Sequence, residues 1–164
     1  MPMQNLNDAF MNELRDIYGA EKKIVKSLPR MARKAGSPEL QKAFEKHEKQ
    51  TEQQIERIES VFELLDERPR AKKCAAMEGI LEEGKEIMSE KAEPDVMDAV
   101  LIAAAQKVEH YEITSYGTLC SWAETLQLDP KAIKLLRENL AEEKETDEHL
   151  TELAMQSINQ EAVA

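Results

Sequence analysis

The sequence predicts an all-α fold: a four-helix bundle of two antiparallel hairpins joined by a long crossover that carries a short helix of its own. Three observations predict it. Ala, Leu, Ile, Met, Glu, Lys and Gln dominate, while aromatics make up only 4% of the 164 residues, a vocabulary of helix formers. Apolar residues recur at alternating steps of three and four along four long segments, the period of a helix that buries one face. No alternation of β-branched residues lasts long enough for a strand. One domain, residues 1–164, is expected at this length, with enough chain to bury most of its apolar surface.

The first helix is expected over about 6–35, with Leu6, Phe10, Leu14, Ile17, Ile24, Leu28 and Met31 on its buried face. Pro29 lacks a backbone donor and should bend it near its end. Gly36 reads as the stop, Ser37 as the next N-cap and Pro38 as the first helical position. The second helix follows over 38–65, with Leu40, Phe44, His47, Thr51, Ile55, Ile58, Phe62 and Leu65 on or beside its seam. A polar stretch from Asp66 to Lys73 then leads into a connecting helix at about 74–90, marked by Met77, Ile80, Leu81, Ile87 and Met88. Pro94 and Asp95 open the third long helix, expected to end near 126. The turn Gln127-Leu128-Asp129-Pro130 repeats the cap-then-proline signal, and the fourth long helix runs over 130–158. Tight turns make each hairpin antiparallel, and one long connection between them is the ferritin-like arrangement.

A net charge of −11 argues against a nucleic-acid footprint, which would need a basic face, and suits a protein that concentrates cations. No apolar run approaches the ~20 residues that span a bilayer. The start, Met1-Pro2-Met3-Gln4-Asn5, has neither the basic nor the apolar region of a secretory signal. Cys74 and Cys120 lie far apart without metal-site spacing, which fits a reducing compartment. A cytoplasmic protein is expected.

Carboxylates interrupt the apolar seams. From Leu136 the seam of the fourth long helix runs Leu140, Glu143, Asp147, Leu150, Ala154. That of the third runs Ile102, Ala105, Glu109, Glu112, Tyr116, Leu119, Ala123. Buried ionised carboxylates are paired, protonated or metal-bound. Counting from the turn at Leu128, Glu112 lies sixteen residues before and Glu143 fifteen after, while Glu109 and Asp147 are each nineteen away. Each pair is therefore level, roughly 25 Å from the turn. Counting from Gly36, Glu21 is fifteen before, and His47, Glu48 and Glu52 fall eleven to sixteen after.

A set of N and O ligands from four helices at one level is the arrangement of di-iron and di-manganese carboxylate proteins. The candidate metal ligands are Glu21, His47, Glu109, Glu112, Glu143 and Asp147, with Glu48 and Glu52 as alternatives to His47. For a lone seam residue the plainer reading is a flank position or a hydrogen-bonded core histidine. Four acids on two seams at matching depth favour a metal. His110 and His149 fall off the seams, and Tyr116 lies close enough to Glu112 to touch the site.

Ala20-Glu21-Lys22, the block Leu101 to Glu112 with Ser115-Tyr116-Gly117-Thr118-Leu119, Glu142-Glu143-Lys144 with Thr146-Asp147, and Cys74-Ala75-Ala76-Met77-Glu78-Gly79 resemble the YciE/YciF family of small bacterial stress-associated proteins. The resemblance implies a dimeric ferritin-like bundle with a di-iron centre and ferroxidase activity. Glu109-x-x-Glu112 also resembles the paired glutamates of rubrerythrins. The Glu-x-x-His of ferritin-like di-iron sites is absent: Glu143 and Asp147 stand four apart on the fourth long helix, and Phe44 precedes His47 by three. The expected function is ferroxidase or peroxide-scavenging chemistry at two Fe ions, with Mn as the other fitting metal and O2 or H2O2 as oxidant. The alternatives are a non-enzymatic dimeric bundle with structural core acids, and an interaction module that presents the crossover helix.

Overall fold

The structure, a computed structural model, describes residues 2–163. Met1 and Ala164, the ends of the expected domain, lie outside the described residues. Among the described residues, five α-helices of more than three residues follow in order: α1 (Leu6–Lys34), α2 (Pro38–Leu64), α3 (Ala75–Ser89), α4 (Pro94–Thr125) and α5 (Pro130–Leu153). A π-helical turn, Ala154–Ile158, and a final short α6, Asn159–Glu161, prolong α5. Such a wide turn inserts a residue into the helical ladder, and here both Ala154 and Ile158 are buried. α1 runs through Pro29 without interruption.

The chain specifies most helix starts through side chains that accept an otherwise unpaired backbone N–H. Asn5 accepts from Asp8, Ser37 from Leu40 and Asp129 from Lys131. The stops are less conventional. α1 ends because Ala35 turns extended (φ −65°, ψ 133°), so Gly36 is not a left-handed cap as the sequence implied. Its N–H and that of Ser37 instead donate to the buried Asp98 carboxylate at the start of α4, each at 2.7 Å. Left-handed caps occur at α2 and α4, on Asp66 (φ 57°) and Gln127 (φ 53°). Beyond them Glu67 N–H bonds Phe62 O, and Leu128 N–H bonds Ala123 O, the long closing bond of a Schellman motif.

The four long helices form a closed ring in which α1 packs on α2, α2 on α5, α5 on α4, and α4 on α1. Phe10, Leu14, Ile17, Phe44, Ile58, Phe62, Leu101, Leu119 and Leu136 fill its interior. Each such side chain contributes about 1.5–3 kcal/mol when fully buried. The crossover helix α3 lies outside, against α4 and α1, and buries only Met77 fully. The segment before it is held where Lys72 N–H donates to Arg15 O at 2.9 Å. There Lys72 O occupies the space a Cβ on Gly19 would need, 2.0 Å away. Both cysteines are buried and free, and among the described residues no helix is long and apolar enough to cross a membrane.

Candidate metal centre

Each long helix sends one or two polar side chains into the middle of this core. Glu21 comes from α1, His47 from α2, Glu109 and Glu112 from α4, and Glu143 from α5, all at most 2% exposed. One ligand atom from each of His47, Glu109, Glu112 and Glu143 lies within 4.8 Å of the other three. Glu21 adjoins this group and couples electrostatically to Glu112, Glu143 and His47. Of the alternatives on α2, Glu48 is half-buried and Glu52 exposed, so His47 is the residue that reaches the centre.

Asp147 sits at the edge. Its carboxylate accepts from Gln106 at 3.2 Å and lies 3.0 Å from His110 Nε2. Its charge still reaches Glu109, but it is not one of the four mutually close ligand atoms. The reason is helical phase. The buried line of α5 is Ala132, Leu136, Asn139, Glu143, Leu150 and Ala154. Leu140 and Asp147, both placed on the seam by the sequence count, are turned aside and half-buried.

Hydrogen bonds prepare individual oxygens. Tyr116 OH donates to Glu21 Oε1 and leaves Oε2 without a partner. Gln54 Nε2 donates to Glu143 Oε1 at 2.6 Å and leaves its Oε2 bare. Both oxygens of Glu112 and Oε2 of Glu109 also lack partners. Asn139 supports the arrangement by donating to Tyr116 OH (3.1 Å) and Gln54 O (3.3 Å) while accepting from Arg57 (3.0 Å). Gln54 and Asn139 were missed from sequence because Ile55 and Leu140 beside them fit the expected apolar seam. Their signal was a buried-phase amide next to an apolar residue.

His47 is oriented from its far side. Thr146 Oγ1 donates to Gln50 Oε1 at 3.4 Å and lies 3.3 Å from His47 Nδ1. This contact anchors Nδ1 and turns Nε2 towards the acids. That Nε2 stands 3.0 Å from Glu109 Oε1 and 3.7 Å from Glu143 Oε2. Neither contact has hydrogen-bond geometry, so Nε2 has no partner. Lone pairs facing lone pairs in a dry core repel unless a proton or cation lies between them.

The electrostatics agree. Burial pushes Glu21 up to about 8, helped by the Glu143 charge and opposed by the Tyr116 hydrogen bond. Burial likewise raises Glu109 to about 8, with the charges of Glu21 and Asp147 adding to it. Glu112 is pushed well above the carboxylate range by burial and then by Glu143, Glu21 and Glu109. Glu143 is raised by burial and by Glu109, with His47 opposing. So many acids cannot all ionise together in this space without a cation. Bare carboxylate oxygens with one imidazole nitrogen form a donor set that fits hard and borderline divalent metals.

Residues 5–163 match the family model described as a domain of unknown function, DUF892. The chain is 47% identical over 163 residues to Protein YciF of Escherichia coli K12, covering 99% of this chain and 98% of that protein. It superimposes on the crystal structure of the E. coli stress protein YciF with a TM-score of 0.91, over 96% of this chain and 99% of that one. YcfI from Rhodopseudomonas palustris, 41% identical, gives a TM-score of 0.88 over 90% of this chain and 94% of its own. A Xanthomonas campestris protein, 22% identical, shares the fold, with a TM-score of 0.73 over 97% of both chains. By family model, full-length identity and structure alike, the chain belongs to the DUF892 family of YciF-like helical-bundle proteins.

Proposed function

We propose that the chain is a di-metal carboxylate protein that oxidises iron(II) with O2 or hydrogen peroxide. The observation that carries this reading is the unpaired Nε2 of His47 facing the bare oxygens of Glu109, Glu112 and Glu143 in a fully buried core. Glu21, His47, Glu109, Glu112 and Glu143 hold the cations in this reading, and Asp147 adds negative charge from the edge. Iron(II) held there would supply one electron per ion to peroxide, so that two ions and two protons would account for the two waters formed.

The protein's own part is positioning and charge. Tyr116 and Gln54 each tie down one carboxylate oxygen and leave its mate free to bind. Glu112, with neither oxygen hydrogen-bonded, would be the carboxylate most available to hold a cation. Protons held on the acids leave as cations enter, so affinity should rise with pH. Iron leads the assignment, and manganese fits the same donors. We further propose a cytoplasmic homodimer: the two free cysteines suit a reducing compartment, and the YciE/YciF resemblance implies a dimer.

A second reading has one observation in its favour. Glu21 and Glu109, at about 8, can stand protonated at neutral pH, which would make the acids structural parts of a non-enzymatic bundle. Anaerobic Fe(II) titration followed by O2 or peroxide separates the two, on wild type and Glu112→Ala. The proposal expects saturation near about two irons per chain and fast oxidation that the variant loses. No saturable binding in either protein would discard the ferroxidase reading.

A further inference from the structure

A second cavity, of about 750 Å³, opens where α3 rides over α1 and α4. Its floor is apolar, formed by Met31, Leu81, Met88 and Val108 among others. Its rim is basic. Lys26, Arg30 and Arg33 stand at steps of four and three on one face of α1, and among the described residues none makes an ion pair. The rim acids are already engaged, Glu78 by Lys23 and Lys73, and Glu82 by Lys85. In a chain of net charge −11, this is a concentrated cationic edge beside an uncovered apolar hollow.

A separate feature points the same way. Gly79 and Gly84 line the cavity from inside α3, where glycine disfavours a helix. Neither has a positive φ, and a Cβ on either would meet nothing within 4 Å. Backbone conformation and packing therefore give no reason for them. Their consequence is room.

We propose that this cavity binds a single-chain alkyl carboxylate, with the chain against the apolar floor and the anionic head on Arg30, Arg33 and Lys26. Guanidinium forks match a carboxylate in two parallel hydrogen bonds. The volume lies within the ~300–1,000 Å³ of small-molecule pockets. A partner helix is ~10–12 Å across and fits poorly into a hollow walled by three helices. The site is independent of the metal reading.

The test is isothermal titration with dodecanoate below its micelle concentration, against dodecanol and dodecyltrimethylammonium. Wild type should take up one dodecanoate per chain and bind both controls at least about ten-fold more weakly. Arg30→Glu with Arg33→Glu should weaken dodecanoate by a similar factor. Gly84→Leu should abolish binding while raising the melting temperature, since it fills the hollow and improves helix propensity. Any of three results overturns the proposal: no saturable uptake by wild type, equal affinity for dodecanol, or unchanged binding in both variants. Sedimentation adds a fourth. A wild-type dimer that dissociates in Gly84→Leu, without dodecanoate uptake, would assign the groove to a second copy of the chain.

Discussion

The buried acids of the core act in opposite directions on stability and on binding. Burial holds Glu21 and Glu109 at about 8 in the folded state, far above an exposed carboxylate, and also raises Glu112 and Glu143 well above that range. Between about pH 4.5 and 8 the folded protein therefore binds more protons than the unfolded chain. The stability these protonated acids provide is fully present below 4.5 and is lost as pH rises through about 8. The groups that set the window are the four glutamates, facing His47, Tyr116 and Asp147. Urea unfolding of metal-free protein should show stability falling from pH 5 to pH 8, by about 1.4 kcal/mol per pH unit for each proton released. A flat or rising profile would mean that the acids are ionised and compensated by something other than protons.

At the scale of elements, the crossover presses closest on α1 at Gly19. With the carbonyl of Lys72 where a Gly19 side chain would stand, Gly19→Ala must push the 66–73 segment off α1 or distort the helix. Overpacking of this kind costs about 1–3 kcal/mol, and backbone gives way less readily than a side chain. A calorimetric melting temperature unchanged from wild type would show that the segment yields freely. Elements also explain two small misreadings. Counting in steps of 3.5 puts Leu140 on the seam and Ile55 on or beside it; both pack half-buried against the core, while their neighbours Asn139 and Gln54 are the fully buried residues. An α-helix turns once in 3.6 residues, and the two periods drift apart along a helix.

For the whole molecule, the closed ring of helices brings five buried polar side chains to one depth, and a cation bound there is linked to global folding. Ligands that bind only the folded state stabilise it by about 2.7 kcal/mol at a hundred times Kd. For a chain of this size that is roughly 5–10 °C in Tm. Anaerobic Fe(II) or Mn(II) should raise the melting temperature of wild type by that order and leave Glu112→Ala unmoved. Equal shifts in the two proteins would place the cations elsewhere on the acidic surface.

By itself the sequence determined the helices and their connections, because periodicity, caps and prolines act within a few residues of one another. It also marked Glu109, Glu112, Glu143 and Asp147 as inward, since a charged residue on an apolar seam is a local signal, and left His47 as one of three candidates on α2; Asp147 is the one that turns aside. Which neighbours close on those residues is not local. Asn139 touching Tyr116, Asp98 capping the α1–α2 turn, Thr146 orienting His47 and Asp147 turning to Gln106 all join helices through side chains. So does the open hollow beneath α3, where a short amphipathic helix lies over α1 and α4 with its apolar face only partly buried. The relative rotation of packed helices decides such contacts, and a shift of one residue turns a side chain by about 100°. Only the assembled bundle sets that rotation.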